Sequence, residues 1–135
     1  MKLPEDERDR DGRGALHHAA SAGEIGRVRS LLDAGADVDA ADNQGFTALH
    51  AAAQAFAPEV VRLLVERGAG LDPKNAFGNT PLWVAVRSSK GRGDILQCLL
   101  DAGANPDEPN DSGISPRQMA ERIANFEVSV FFEGR

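Results

Sequence analysis

Asp42-Asn43-Gln44-Gly45-Phe46-Thr47-Ala48-Leu49-His50-Ala51-Ala52, running on through Val60-Val61-Arg62-Leu63-Leu64-Val65 to Gly68-Ala69, is the stretch that decides the fold. It is one period of a repeat. Leu16, Leu49 and Leu82 stand 33 residues apart, as do Gly12, Gly45 and Gly78, and the pairs Gly35-Ala36 and Gly68-Ala69 keep the same step. A fixed period of this length marks an array of supersecondary units, each burying its apolar face against its neighbours.

Each unit carries its own punctuation. Thr47 and Thr80 stand where a side-chain oxygen caps a first helix, and Pro81 follows at a position where its missing N–H costs nothing. Small residues after the repeated leucines (Ala19-Ala20, Ala52-Ala53, Ala85) let helices of adjacent units pack closely. The stripes Val28/Leu31/Leu32, Val61/Leu64/Val65 and Leu96/Leu99/Leu100 have the i, i+3, i+4 spacing of a second helix. Gly35, Gly68 and Gly103 then stand where a helix ends with positive φ. Ala36-Asp37-Val38-Asp39 and Ala104-Asn105-Pro106-Asp107 carry turn residues.

These residues resemble the ankyrin repeat, from about Asp9 to the C-terminus. The resemblance implies an all-α solenoid with three full helix-turn-helix repeats bearing hairpin tips, at about 9–41, 42–74 and 75–109. A C-terminal capping repeat at 110–135 completes one domain spanning 1–135. The cap begins at Asn110-Asp111-Ser112-Gly113-Ile114-Ser115-Pro116, has Arg117 in place of the usual Leu, and crowds Phe126, Val128, Val130, Phe131 and Phe132 together. Terminal repeats are atypical because they close the stack.

The departures from the pattern are local. Gly14-Ala15 stands where later repeats have Thr47-Ala48 and Thr80-Pro81, which removes a cap worth on the order of 1 kcal/mol and leaves the first repeat the readiest to fray. Phe56 puts an aromatic in an inter-helix turn. Gly68 and Gly103 are 35 residues apart, which places a two-residue insertion within Ser88-Ser89-Lys90-Gly91-Arg92-Gly93. The basic insertion, with Lys90 and Arg92 beside Arg87, reads either as a binding-face loop or as a tolerated surface loop.

Composition excludes several function classes. A net charge of -6 disfavours nucleic acid, which is bound by clustered Lys and Arg. One cysteine, Cys98, makes neither an internal disulfide nor a CxxC knuckle and suits a reducing compartment. Residues 1–8 show no apolar signal segment, and no apolar run reaches membrane-spanning length, so the expected address is the cytoplasm and no membrane contact is expected. Asp33, Asp37, Asp39 and Asp42 lack calcium-loop spacing. There is no Gly-rich phosphate loop or GxSxG, and three histidines with Cys98 make no zinc set. No catalytic, cofactor or metal residue is assigned, and the chain is expected not to be an enzyme.

The ankyrin resemblance implies that His17 and His50, with Trp83 in the same place, hydrogen-bond across neighbouring turns. It also implies that the hairpin tips and the exposed side of the first helices form a concave recognition surface. On this sequence the tips are Arg10, Asp11, Arg13, then Asn43, Gln44, Phe46, then Ala76, Phe77, Asn79. The helix positions are His18 and Ser21, Ala51 and Gln54, Val84 and Arg87. Phe46 and Phe77, near Trp83, are the informative ones: they are either partner anchors or pack on one another between repeats. The proposed contact set is Arg13, His18, Asn43, Gln44, Phe46, Gln54, Phe77, Asn79, Trp83, Arg87, Lys90 and Arg92.

The run Phe77–Trp83, Gly91-Arg92-Gly93-Asp94, and Ser112–Pro116 with Ile123-Ala124-Asn125 is similar to small stand-alone bacterial ankyrin proteins, some of which are toxin-immunity proteins. That resemblance implies a monomer binding another protein, a basic toxin domain suiting its acidity. The alternative is a general adaptor or a host-directed secreted effector.

Overall fold

The computed structural model describes residues 7–123 and 127–135; residues 1–6 and 124–126, with Phe126 and Asn125 of the expected cap, lie outside the described residues. Seven helices follow in order: α1 (Ala15–Ser21), α2 (Ile25–Asp33), α3 (Ala48–Gln54), α4 (Pro58–Glu66), α5 (Pro81–Ser88), α6 (Asp94–Ala102) and α7 (Pro116–Arg122). A 3-10 turn, Ser129–Phe132, stands where a second helix of the last unit would be. Helices this short are not stable alone, so stacking must hold them. The first helices α1, α3, α5 and α7 pack in one row, and α2, α4, α6 and the 3-10 turn in a second behind it.

The alanines set the row spacing. Ala19, Ala20, Ala52, Ala53 and Ala85 are fully buried between rows, and Val28, Val61, Leu64, Leu96 and Leu99 from the second helices close the same continuous core. Thr47, Thr80 and Ser115 cap their helices by accepting the N–H of His50, Trp83 and Gln118 at 3.2–3.3 Å. Gly14 supplies no oxygen to α1, as expected from its missing hydroxyl. Gly35, Gly68 and Gly103 all take positive φ, 97°, 85° and 106°.

The tips are tied by main-chain atoms. Asn43 N–H donates to the carbonyl of Asp11, Ala76 N–H to that of Gln44, and Asp111 N–H to that of Phe77, at 2.8–3.1 Å. This close approach needs glycine at Gly45, where φ is 78° and a Cβ would lie 2.9 Å from the Asn75 Cα. No helix is long and apolar enough to cross a membrane among the described residues.

The end unit is closed by a salt link together with apolar packing. Arg117, in the leucine position, makes two bonds to the Asp107 carboxylate (2.7 and 3.2 Å) and donates to the carbonyls of Phe132 and Arg135. Val128 and Phe132 are buried beneath it, whereas Val130 is half exposed. The insertion falls between α5 and α6, which are joined by five residues where the earlier helix pairs use three.

Candidate partner-binding face

A histidine ladder runs along the first helices. His17 Nδ1 accepts the N–H of Gly14 at 3.1 Å and its Nε2–H donates to the carbonyl of Phe46 at 3.0 Å. One period later His50 Nδ1 accepts the N–H of Thr47 at 3.1 Å and Nε2–H donates to the carbonyl of Asn79 at 2.8 Å. A main-chain N–H can only donate and a carbonyl only accept, so both rings are fixed as the neutral Nε2–H tautomer. Burial, the larger effect, lowers both pKa values despite the carbonyl partners. Neither ring has a nitrogen free for proton transfer or metal ligation. Trp83, next in this register, does not continue the ladder: its indole N–H is buried with no partner among the described residues.

A second ladder joins the tips through Asp or Asn. Asp42 Oδ1 accepts the N–H of Gln44 and Phe46 at 2.8 and 2.9 Å, shaping the turn, and its Oδ2 takes Arg13 Nε at 3.2 Å. Burial alone would raise the Asp42 pKa, but those N–H bonds and Arg13 outweigh it and hold the carboxylate below its ordinary range. Asn110 repeats the turn, accepting from Ser112 and Ile114, and its Nδ2 donates to Asn79 Oδ1 at 2.9 Å. Asn75 repeats it as well, accepting from Phe77 and Asn79 at 2.9 and 3.0 Å. Its link to the preceding unit is missing, because Phe46 stands in the register of Arg13 and offers no polar group; Asn75 Nδ2 is buried and unpartnered among the described residues.

Two hollows lie side by side on this face. One of about 490 Å³ is lined by Arg13, His17, His18, Ser21, Asp42, Gln44, Phe46, Ala51, Gln54 and Ala55. The other, about 380 Å³, is lined by Phe46, Gln54, Asn75, Phe77, Asn79, Trp83, Val84, Arg87 and Ser88. Phe46 and Gln54 belong to both. Among the described residues no group of three or more His, Cys, Asp or Glu side chains is placed to hold a metal. Burial pushes the Cys98 thiol up, away from the reactive thiolate.

The structure brings ten of the twelve sequence-derived contact residues toward the tips and first helices, with different freedom. Phe77 is an open large hydrophobic, 57% exposed. Phe46 is half-buried, its ring edge-on to His50 at 5.5 Å. Arg13 and His18 are engaged by Asp42 and Asp9, and Asn43 Nδ2 donates to the carbonyl of Arg10. Asn79 and Trp83 lie below the surface; Asn79 is consumed by the ladders, so the open tip contact expected of it is replaced by bonds to His50 and Asn110. Gln44, Gln54 and Arg87 are exposed.

Lys90 and Arg92 sit apart, in the α5–α6 loop. Arg92 is not free: its guanidinium lies 4.0 Å from the centre of the Phe56 ring and donates to the carbonyls of Ser88 and Ser89. The aromatic in the inter-helix turn of the second unit thus seats the insertion of the third. Sequence reasoning missed Asn75, although its register with Asp42 and Asn110 was available.

The family model described as ankyrin repeats, in three copies, matches residues 2–75, and the single ankyrin-repeat model matches residues 77–111. Comparison with curated proteins finds no match.

Proposed function

Because the chain belongs to the ankyrin-repeat family, whose members are generally binding modules, we propose that it engages a partner protein through its concave face. Phe77 carries this reading. A hairpin tip in water gains nothing from an open aromatic, whereas burying one against a partner is worth about 1.5–3 kcal/mol, and aromatics with arginine dominate interface energetics. It stands at the rim of a hollow bordered by Phe46 and Arg87.

More narrowly, the chain is read as a bacterial immunity protein that binds a cognate toxin as a monomer in the cytoplasm and covers its active site. Supporting this are the run Phe77–Trp83 with the Gly91–Asp94 and Ser112–Pro116 segments, the net charge of -6 that suits a basic toxin domain, and a lone half-buried cysteine. Co-expression with the product of the neighbouring gene tests it: protection should be complete for the natural chain and weakened at least tenfold by Phe77→Ala, a substitution that leaves the thermal midpoint unchanged. Failure to protect removes the immunity reading. Capture of a partner that is indifferent to Phe77→Ala removes the concave face.

A further inference from the structure

Both breaks in the polar ladders fall in the wall of the same hollow. Asn75 and Trp83 are each more than nine-tenths buried, and the 380 Å³ pocket is lined by both. The orientation of the Asn75 amide is set, because its Oδ1 accepts two main-chain N–H groups; the atom left over is therefore the NH2. The indole N–H of Trp83 can only donate. The two orphaned groups are thus both donors, and a desolvated donor without an acceptor is costly to leave unmade.

The rest of the lining is matched to an acceptor carrying negative charge. It contains no Asp or Glu, while Arg87 is exposed and lies 6.0 Å from the centre of the Trp83 ring, with no carboxylate partner among the described residues. In the adjoining hollow the counterparts of Asn75 and Phe46, Asp42 and Arg13, satisfy one another, and His17, in the register of Trp83, is bonded to the Phe46 carbonyl. Phe46 and Phe77 supply apolar walls.

We propose that this pocket receives a single carboxylate side chain, Asp or Glu, presented by the protein partner. One carboxylate oxygen accepts from Asn75 Nδ2 and Trp83 Nε1–H, and the other pairs with Arg87, whose rotation, with that of Gln54, opens the path. A neutral acceptor would satisfy the two donors and leave Arg87 unpaired, so the site discriminates against it. The pocket is a local reversal of the chain's acidic balance and selects an acidic hook on a partner of any overall charge. This inference rests on the concave-face reading and specifies its chemistry.

Trp83 is the sole tryptophan and the chain has no tyrosine, so its indole is a clean reporter. Capped glutamate (N-acetyl-glutamic acid N-methylamide) titrated into the 15N-labelled chain should move the indole N–H and the Asn75 side-chain amide together and saturably. An apparent Kd on the order of millimolar fits a probe of that size. Arg87→Gln should weaken it about tenfold, the worth of one charge-assisted hydrogen bond. Asn75→Asp, which keeps the turn-forming oxygen that Asp42 supplies one unit earlier, should abolish it. No saturable shift, or an equal one from capped glutamine, overturns the proposal. An equal response to acetate or chloride at matched ionic strength also overturns it, since the pocket would then take free anions. Partner capture lost on Phe77→Ala, with the indole unmoved by capped glutamate, would sink the pocket while leaving the concave face standing.

Discussion

His50→Gln should make the chain less stable at neutral pH and bring it close to the natural chain in mild acid. His50 is fully buried, with Nδ1 taking the N–H of Thr47 and Nε2–H bonded to the carbonyl of Asn79. Glutamine at this register can replace the first of these bonds, as the last unit shows, where Gln118 Oε1 accepts the N–H of Ser115 at 2.9 Å. The variant therefore keeps the cap and orphans the Asn79 carbonyl, a loss of about 1–3 kcal/mol near pH 7.5. Acid acts in the opposite sense. Burial holds the folded pKa of His50 below the ordinary 6.5, so the unfolded chain takes up the proton first and stability falls as pH drops below about 6.5. At about pH 5 the loss reaches at most about 2 kcal/mol for each histidine that stays neutral when folded. His17 is shifted the same way, so the natural chain loses up to about 4 kcal/mol and the variant about 2. Urea unfolding followed by Trp83 fluorescence, from about pH 7.5 to about pH 5, should show the two stability curves converging. Parallel curves, or a natural chain whose stability is flat over that window, would refute the assignment of neutral, ladder-bound rings.

The end units offer further tests, all read as thermal midpoints. Gly93→Ala places a Cβ well inside contact distance of the Phe131 ring, which must shift and drag the 3-10 turn with it; a loss of about 1–3 kcal/mol is expected. Gly26→Ala, inside α2 with nothing within 4 Å of the new atom, should instead stabilise by about 0.5–1 kcal/mol. Gly14→Ser restores the missing cap of α1 at an extended backbone position and should add a few tenths of a kcal/mol, roughly the measured Ser-over-Gly advantage. Arg117→Leu restores the common residue of the repeat yet should destabilise by about 0.5–1.5 kcal/mol, because the exposed Asp107 and the part-buried Phe132 carbonyl lose a charged partner; an unchanged midpoint would show that the turn is held by Phe132 packing alone.

The repeat was legible because its signals are local and recur: a hydroxyl before α3, α5 and α7, alanines behind the leucines, glycine past each second helix. The recurring histidine was legible only through the family resemblance, and the structure gives its physical reason in two opposed hydrogen bonds. What stayed hidden was which positions are consumed by neighbours. Asn79 reads as an open tip residue until Asn110, 31 positions on, is seen to reach its side chain. Arg92 reads as a free cation until Phe56 is brought under it. Asn75 shares the register of Asp42 and Asn110, but its vacant amide depends on Phe46 in another unit. Such facts depend on pairs of distant positions, and periodicity reports one position at a time.

The links between tips use main-chain N–H and C=O groups at Asp11/Asn43, Gln44/Ala76 and Phe77/Asp111. Their geometry demands glycine close by and is silent about the side chains at those six positions. Single substitutions at Gln44, Ala76 or Phe77 can therefore reshape this surface with the stack intact through every intermediate. The chain separates what it must keep in order to fold from what it is free to change on its surface.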